Sequence, residues 1–245
     1  MISTFADYEA GMEDARAAFN RNPAIIALFH RPIDSDRLEA FLIHFSAIGV
    51  AMTEPVAAWI TRAGERCSEV GLDKLGRALR AHAGQEDGHH ILMQQDTRAL
   101  VSRWNRNHTP QLDAARLLTL EPADGVIRYK QVHENAISGN APYGQLAIEY
   151  EIERLSIVYG PQLLGICSST LESDALDGLS FLRDHVELDV AHTKFNQAQL
   201  SRLLEEHPAF LGGLVAAGSG ALDAYGRFLG DCLAMADAVT TGALA

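Results

Sequence analysis

The segment 181–195, FLRDHVELDVAHTKF, constrains this chain more than any other stretch. On an α-helix of 3.6 residues per turn, His185, Asp189 and His192 fall at i, i+4 and i+7, within about 60° of one another. Three potential metal ligands therefore share one stripe. Leu182, Val186, Leu188, Val190 and Phe195 crowd the same segment and leave little room for a wholly solvated polar face. Two imidazoles and a carboxylate beside so much apolar surface need partners, because uncompensated buried charge is costly. Imidazole with carboxylate suits Fe, Zn or Mn, and no cysteine lies nearby to build a thiolate-rich structural site.

The remaining chain reads as helices that supply such partners. A first amphipathic helix is expected over 7–20, with Tyr8, Met12, Ala15 and Phe19 on one face, ended by Asn22 and Pro23. Ser35 is placed to cap a helix reaching about residue 62. Its interior, FLIHFSAIGVAMTEPVAAWI, is apolar nearly all round, and Pro55 should kink or divide it. His44 and Glu54 are expected inside this wall as hydrogen-bonded interior groups.

The next helix, about 72–103, presents His82, Glu86, His89 and His90. Glu86 and His89 form an ExxH pair, the spacing by which helical bundles aim a carboxylate and an imidazole into one site, and His90 also fits four residues after Glu86. After turn chemistry at SGNAP, a third helix carries Leu146, Glu149, Tyr150, Glu153 and Ile157 on one side. Glu149 and Glu153 stand at i, i+4, where like charges disfavour an isolated helix, so a cation or proton between them would relieve the repulsion. Glu151 faces the other way, and Arg154 offers a surface ion pair to Glu149 or Glu151. The Gly- and Ala-rich end of the chain suits close helix packing. No β-rich stretch, heptad array or internal repeat is visible, which predicts an all-α, single-domain helical bundle over 1–245 with about seven to nine helices.

With 245 residues the chain can bury a sizeable core, and its net charge of −12, with Lys and Arg scattered, repels phosphate backbones and anionic membrane surfaces. Nucleic acid and membrane are therefore not expected as partners. Cys67, Cys167 and Cys232 form no CxxC pattern and fit free thiols in a reducing compartment. The first residues lack a basic region followed by an apolar run, and the charge-free runs 155–171 and 208–222 are broken by Gly or Pro. The expectation is a cytoplasmic protein acting on a small molecule, for which a homodimer is compatible.

Collected, the stripes offer Glu86 with His89, Glu149 or Glu153, and His185 with Asp189 and His192. One Zn ion needs three or four ligands, whereas two metals sharing carboxylates use all six. At these residues the chain resembles the heme-oxygenase-like diiron oxidases and oxygenases, whose members carry a Glu and a His on one core helix, a Glu on another and HxxxDxxH on a third. HVELDVAH matches that last element in full, and the likeness in helix order and spacing runs from about His44 to Leu204.

The resemblance implies a heme-oxygenase-like bundle in which Glu86, His89, Glu153, His185, Asp189 and His192 hold two Fe(II) per chain, with O2 as cosubstrate. Tyr150, three residues before Glu153, matches an aromatic that the family often has there, which puts Glu149 second; His90 is the alternative to His89. The implied activity is oxidation of a small molecule in a biosynthetic pathway, either at an amine nitrogen or by C–C cleavage of an amino acid or fatty acid. The apolar wall of Phe41, Phe45, Ile48 and Met52 is expected beside that substrate, with Tyr143, Tyr150 and Tyr159 available to orient it.

Heme is disfavoured, because YEIERLS stands where heme-binding relatives carry a Gly-rich distal helix, and His44 could not hold heme alone. Two alternatives remain. Relatives resembling thiaminase II or pyrroloquinoline-quinone synthase share the scaffold without this ligand set and work free of a metal. A non-catalytic iron-binding helical protein is the other. A cysteine hydrolase finds no support, since none of the three thiols has a neighbouring His.

Overall fold

The computed structural model of the protein describes residues 4–242. Its helices are α1 (Phe5–Asn20), α2 (Pro23–Phe29), α3 (Ser35–Thr53), α4 (Val56–Glu69), α5 (Asp73–Glu86) and α6 (His89–Asn107). They continue as α7 (Ala114–Leu117), α8 (Asp124–Ser138), α9 (Gly144–Thr170), α10 (Ser180–Glu206) and α11 (Leu211–Thr240), with 3-10 turns at Ser173–Gly178 and Pro208–Phe210. No strand occurs among the described residues, so the all-α expectation holds, with more and shorter helices than the sequence suggested.

The extra divisions have local causes. Pro55 lacks an amide hydrogen and separates α3 from α4, as expected. The cap of α3 is Asp34 rather than Ser35: its carboxylate accepts from the amides of Asp36 and Arg37. The single helix expected over 72–103 is two, because Gly88 takes φ +88°, a left-handed conformation that costs glycine little. Glu86 thus ends one helix and His89 begins the next. Pro161, which lacks the amide hydrogen a helix interior uses, nonetheless lies inside α9, whose assignment is continuous from Gly144 to Thr170.

The main hydrophobic cluster draws on residues from Tyr8 to Val239. α3 is its axis, buried almost all round from Leu38 to Met52, and packs on α6 and α11. The stretch Ser35–Glu69 is long and apolar enough by composition to cross a membrane, yet 67% of its most apolar window is buried inside the bundle. His44 belongs to this wall, its Nδ1 2.8 Å from the Ala40 carbonyl, whereas Glu54 is exposed beside Pro55 where the helix ends.

α9 and α10 lie along one another, closely enough that a Cβ on Gly160 would meet Val186 Cγ2 at 2.4 Å. α1 is fastened to α9 by a buried ion pair that sequence reading assigned differently. Arg16 donates to both oxygens of Glu151 (3.0 and 2.6 Å), and Tyr8 donates to Glu151 at 2.9 Å. Glu151 therefore pairs across the bundle and not with Arg154.

α10 is capped from another helix. The buried Asp96 of α6 accepts from the amides of Ser180 and Phe181, each at 2.9 Å, and from the Ser180 hydroxyl at 2.6 Å. Asp96→Ala leaves those first amides unsatisfied and is expected to cost about 2 kcal/mol. Chemical denaturation of the two proteins checks it, and an unchanged midpoint would remove Asp96 from this role.

Candidate metal centre

The break at Gly88 sets up the geometry of the site. His82 and Glu86 come from the last turn of α5, His89 from the first turn of α6, Glu149 and Glu153 from α9, and His185, Asp189 and His192 from α10. Donor atoms of His82, Glu86, Glu153 and His192 all lie within 4.8 Å of one another, and so do those of Glu86, His89 and His185. Glu86 belongs to both groups. Its Oε1 is 3.2 Å from His192 Nδ1 and 3.9 Å from His82 Nε2, while its Oε2 is 3.1 Å from His89 Nδ1.

Of the residues singled out from sequence, Glu86, His89, Glu153, His185 and His192 thus meet in these two groups. Asp189 stands beside them, 2% exposed, its Oδ1 3.4 Å from His192 Nδ1. His90 is in neither group. Glu149 is buried one turn from Glu153 on α9 and also stays outside both. The apolar flank of α10 differs from expectation, since Leu188 and Val190 are 41% and 42% exposed. Asp189 and His192 are nonetheless buried, because they face α9 and α5.

Supporting contacts orient these side chains. The ring of His185 lies on Phe181 at 3.9 Å, and its Nδ1 donates to the Phe181 carbonyl at 2.8 Å, which leaves Nε2 with the lone pair. Asn196 donates to Glu153 Oε2 at 2.7 Å. Gln145 donates to Glu149 and, at 2.9 Å, to Nδ1 of the fully buried His133. Sequence reading placed His82 on the α5 stripe without counting it as a ligand; its i, i+4 spacing to Glu86 was the available signal. Asn196 and Asp96 left no such signal, since each acts across helices distant in sequence, whereas Gln145 stands four residues before Glu149 on the same helix.

Four carboxylates and four imidazoles share this space, with no Lys or Arg among them. Asp189 and Glu86 raise His192 to about 10. Burial opposes ionisation of Glu86, but His192 and His89 hold its carboxyl well below the usual range. Burial pushes Glu149 up to about 8, helped by the neighbouring Glu153 and Glu86.

A divalent cation suits this donor set. Buried side-chain atoms without a hydrogen-bond partner include both nitrogens of His82, Glu86 Oε1, Glu153 Oε1 and His192 Nδ1. Apart from His82 Nδ1, these atoms lie within reach of one another but are not aligned as hydrogen bonds; His82 Nε2 and Glu153 Oε1, for example, are 2.9 Å apart. Buried polar groups are rarely left so, and here they converge. Because His192 holds a proton near neutrality, cation uptake must displace it. Uptake is expected to release at least one proton per chain at pH 7.5, and apparent affinity should rise about tenfold per pH unit below about 10. Calorimetry in buffers of different ionisation enthalpy counts those protons.

A cavity of about 80 Å³ adjoins the cluster, lined by Met52, Tyr129, Glu86, Glu149, Glu153 and Asp189 among others. A second, of about 60 Å³, is lined by Phe19, Phe29, Phe41, Phe45, Leu155 and Leu163, with Tyr159 beside them. The two share Ser156, Phe181, His185 and Tyr225. Of the expected wall, Phe41, Phe45 and Met52 face these chambers and Ile48 does not. Of the expected tyrosines, Tyr159 lines the second, whereas Tyr143 stacks on Phe210 and Tyr150 packs on Phe5 and Tyr8. A larger surface groove of about 490 Å³, with Lys74, Arg77 and Arg202, contains none of the candidate ligands. The thiols are buried, which pushes Cys67 and Cys167 up to about 12 and leaves them unreactive near neutrality.

Comparison with protein-family models and with curated proteins finds no match. Among solved structures, the chain is similar to a domain of unknown function with a heme oxygenase-like fold from Shewanella denitrificans OS217. The TM-score is 0.70 at 18% identity, covering 96% of this chain and 93% of that one. The protein therefore has a heme oxygenase-like fold. Within that fold it carries a His and Glu cluster able to hold metal.

Proposed function

We propose that the protein is a non-heme diiron oxygenase or oxidase of the cytoplasm, which binds two Fe(II) per chain and uses O2 to oxidise a small molecule in a biosynthetic pathway. The observation that carries this reading is Glu86, whose two oxygens serve different histidine sets: His82 and His192 on one side, His89 on the other. A carboxylate so placed suits two metals better than one. The unpartnered donor atoms around it favour this reading over a metal-free enzyme on the same scaffold.

Glu86, His89, Glu153, His185, Asp189 and His192 would hold the irons, with His82 as a further donor. The bound irons would supply the electrons and open positions that O2 activation needs. The residues around them keep His185 Nε2 and the Glu153 carboxylate aimed, through the Phe181 carbonyl and Asn196. Phe181 and Tyr225, between the two chambers, limit water beside the reacting group and leave a mostly apolar bed for the substrate.

The two outcomes implied by the resemblance are N-oxygenation of an amine and oxidative C–C cleavage of an amino acid or fatty acid. Oxygen-electrode measurements on iron-loaded protein, across panels of amines, amino acids and fatty acids, test the reading. Consumption that requires both iron and one class of additive is expected. Iron uptake with no additive-dependent consumption would instead mark a non-catalytic iron-binding protein.

A further inference from the structure

Between α3, α7 and α11 lies a groove with a buried histidine at its floor. The histidine is His44; one wall is Met235 and Val239 of α11, and the other is Leu112, Leu117 and Leu120 in and around α7. Its volume is about 320 Å³, against about 80 and 60 Å³ for the two chambers beside the cluster. It shares no lining residue with either chamber or with the candidate donors. A concave, mostly apolar space on which a few polar groups converge is the usual form of a small-molecule site.

His44 is only 2% exposed. Its Nδ1 lies 2.8 Å from the Ala40 carbonyl and donates to it, because a carbonyl oxygen only accepts. Nε2, at the tip of the ring, therefore carries the lone pair, and among the described residues it has no hydrogen-bond partner. Burial pushes the His44 imidazole below its ordinary value, against the pull of the Ala40 carbonyl, so the ring is neutral near pH 7. A buried acceptor without a donor is costly, and this ring borders the groove.

A matching ligand presents one hydrogen-bond donor to Nε2 and apolar surface to the walls. An ammonium would lose its hydration against leucines and meet Arg116, the one Lys or Arg among the described lining residues. Asp113 does not offset that, since its carboxylate already accepts from the amides of Ala115 and Arg116. A phenol suits the lining better: its O–H is a stronger donor than an aliphatic hydroxyl, and an aromatic ring suits both the Met235 thioether and the Arg116 guanidinium. We infer that the groove is a second small-molecule site, for a neutral phenol whose hydroxyl donates to His44 Nε2 and whose ring lies against Met235, Leu117 and Leu120. The inference needs no metal and is independent of the diiron reading.

Calorimetric titration of the full, metal-free chain with 2-naphthol, 2-methoxynaphthalene and 2-decalol tests it. 2-Naphthol should bind at least about tenfold more tightly than 2-methoxynaphthalene, which has the same rings and no donor. The saturated 2-decalol should also bind more weakly than 2-naphthol. His44→Phe keeps a ring in place without the acceptor, and should bring 2-naphthol and its methyl ether within about twofold of each other. Methyl NMR of methionine-labelled protein locates the ligand. The chain has five methionines, of which Met235 lines the groove while Met52 and Met93 line the chamber at the cluster. 2-Naphthol should shift the Met235 methyl, assigned through Met235→Leu, and leave Met52 and Met93 unmoved. Equal affinity for 2-naphthol and its methyl ether, tighter binding of 2-decalol, a preference that survives His44→Phe, no binding, or shifts at Met52 and Met93 instead would each overturn the inference. If His44→Phe does not fold, the wild-type ratio and the Met235 shift decide.

Discussion

Glu86→Ala is expected to abolish tight metal binding at both halves of the cluster, lowering affinity by more than about 100-fold at each. Removing a metal's supporting contact typically costs 10- to 100-fold, and Glu86 would be a direct ligand on both sides. Its Oε1 faces His82 and His192 and its Oε2 faces His89, so no other residue serves both groups. The loss should be cooperative, with no residual single-metal form at stoichiometric iron. Metal analysis after gel filtration measures it. Glu187→Ala, an exposed carboxylate on the same face of α10 as a surface groove, should retain full metal content. Equal loss in both variants would mean that general destabilisation, and not ligation, is being measured.

The largest stability effect is expected at Glu151→Ala, about 3 kcal/mol. Breaking one side of a buried ion pair usually costs 3–5 kcal/mol, because the partner's charge stays buried without compensation. The lower end applies because Glu9 still holds Arg16, at 3.0 and 2.7 Å. Tyr8, 0% exposed, also loses its acceptor. For a chain of this size the melting temperature should fall by roughly 10 °C. Glu151 lies on the side of α9 away from the cluster, so the folded fraction at low temperature should bind metal as the wild type does. A melting temperature within about 2 °C of wild type would mean that α1 is held to α9 by its apolar face alone.

The stripes of candidate donors were legible because each is short-range. His185, Asp189 and His192 can be placed on one face from 3.6-residue periodicity alone, and the same holds for Glu149 with Glu153. What periodicity could not supply is how one helix end meets another. Glu86 and His89 were read as neighbours on a continuous helix, whereas Gly88 separates them and a 3.1 Å contact is still made across the break. A single glycine in a helical pattern does not announce whether it will take positive φ.

Glu149 and Glu153 posed the converse problem. Both fit the same face, and only the position of His82 and Asn196, on α5 and α10, sets Glu153 in the donor group and leaves Glu149 with Gln145. Glu151 shows the same limit: Arg154 was near in sequence, but Arg16 is near in space. Asp96, which caps α10 from α6, could not be found from either helix alone. Fold class and most of the candidate donors were therefore readable from local pattern, while the partners that aim those side chains depend largely on tertiary packing.

The most direct test of the central claim is an anaerobic Fe(II) titration followed by metal analysis and Mössbauer spectroscopy. The account predicts two irons per chain in the wild type and no more than one in His185→Ala, which loses a donor from the group of Glu86, His89 and His185 alone. One iron or none in the wild type, or two irons unaffected by His185→Ala, would contradict it.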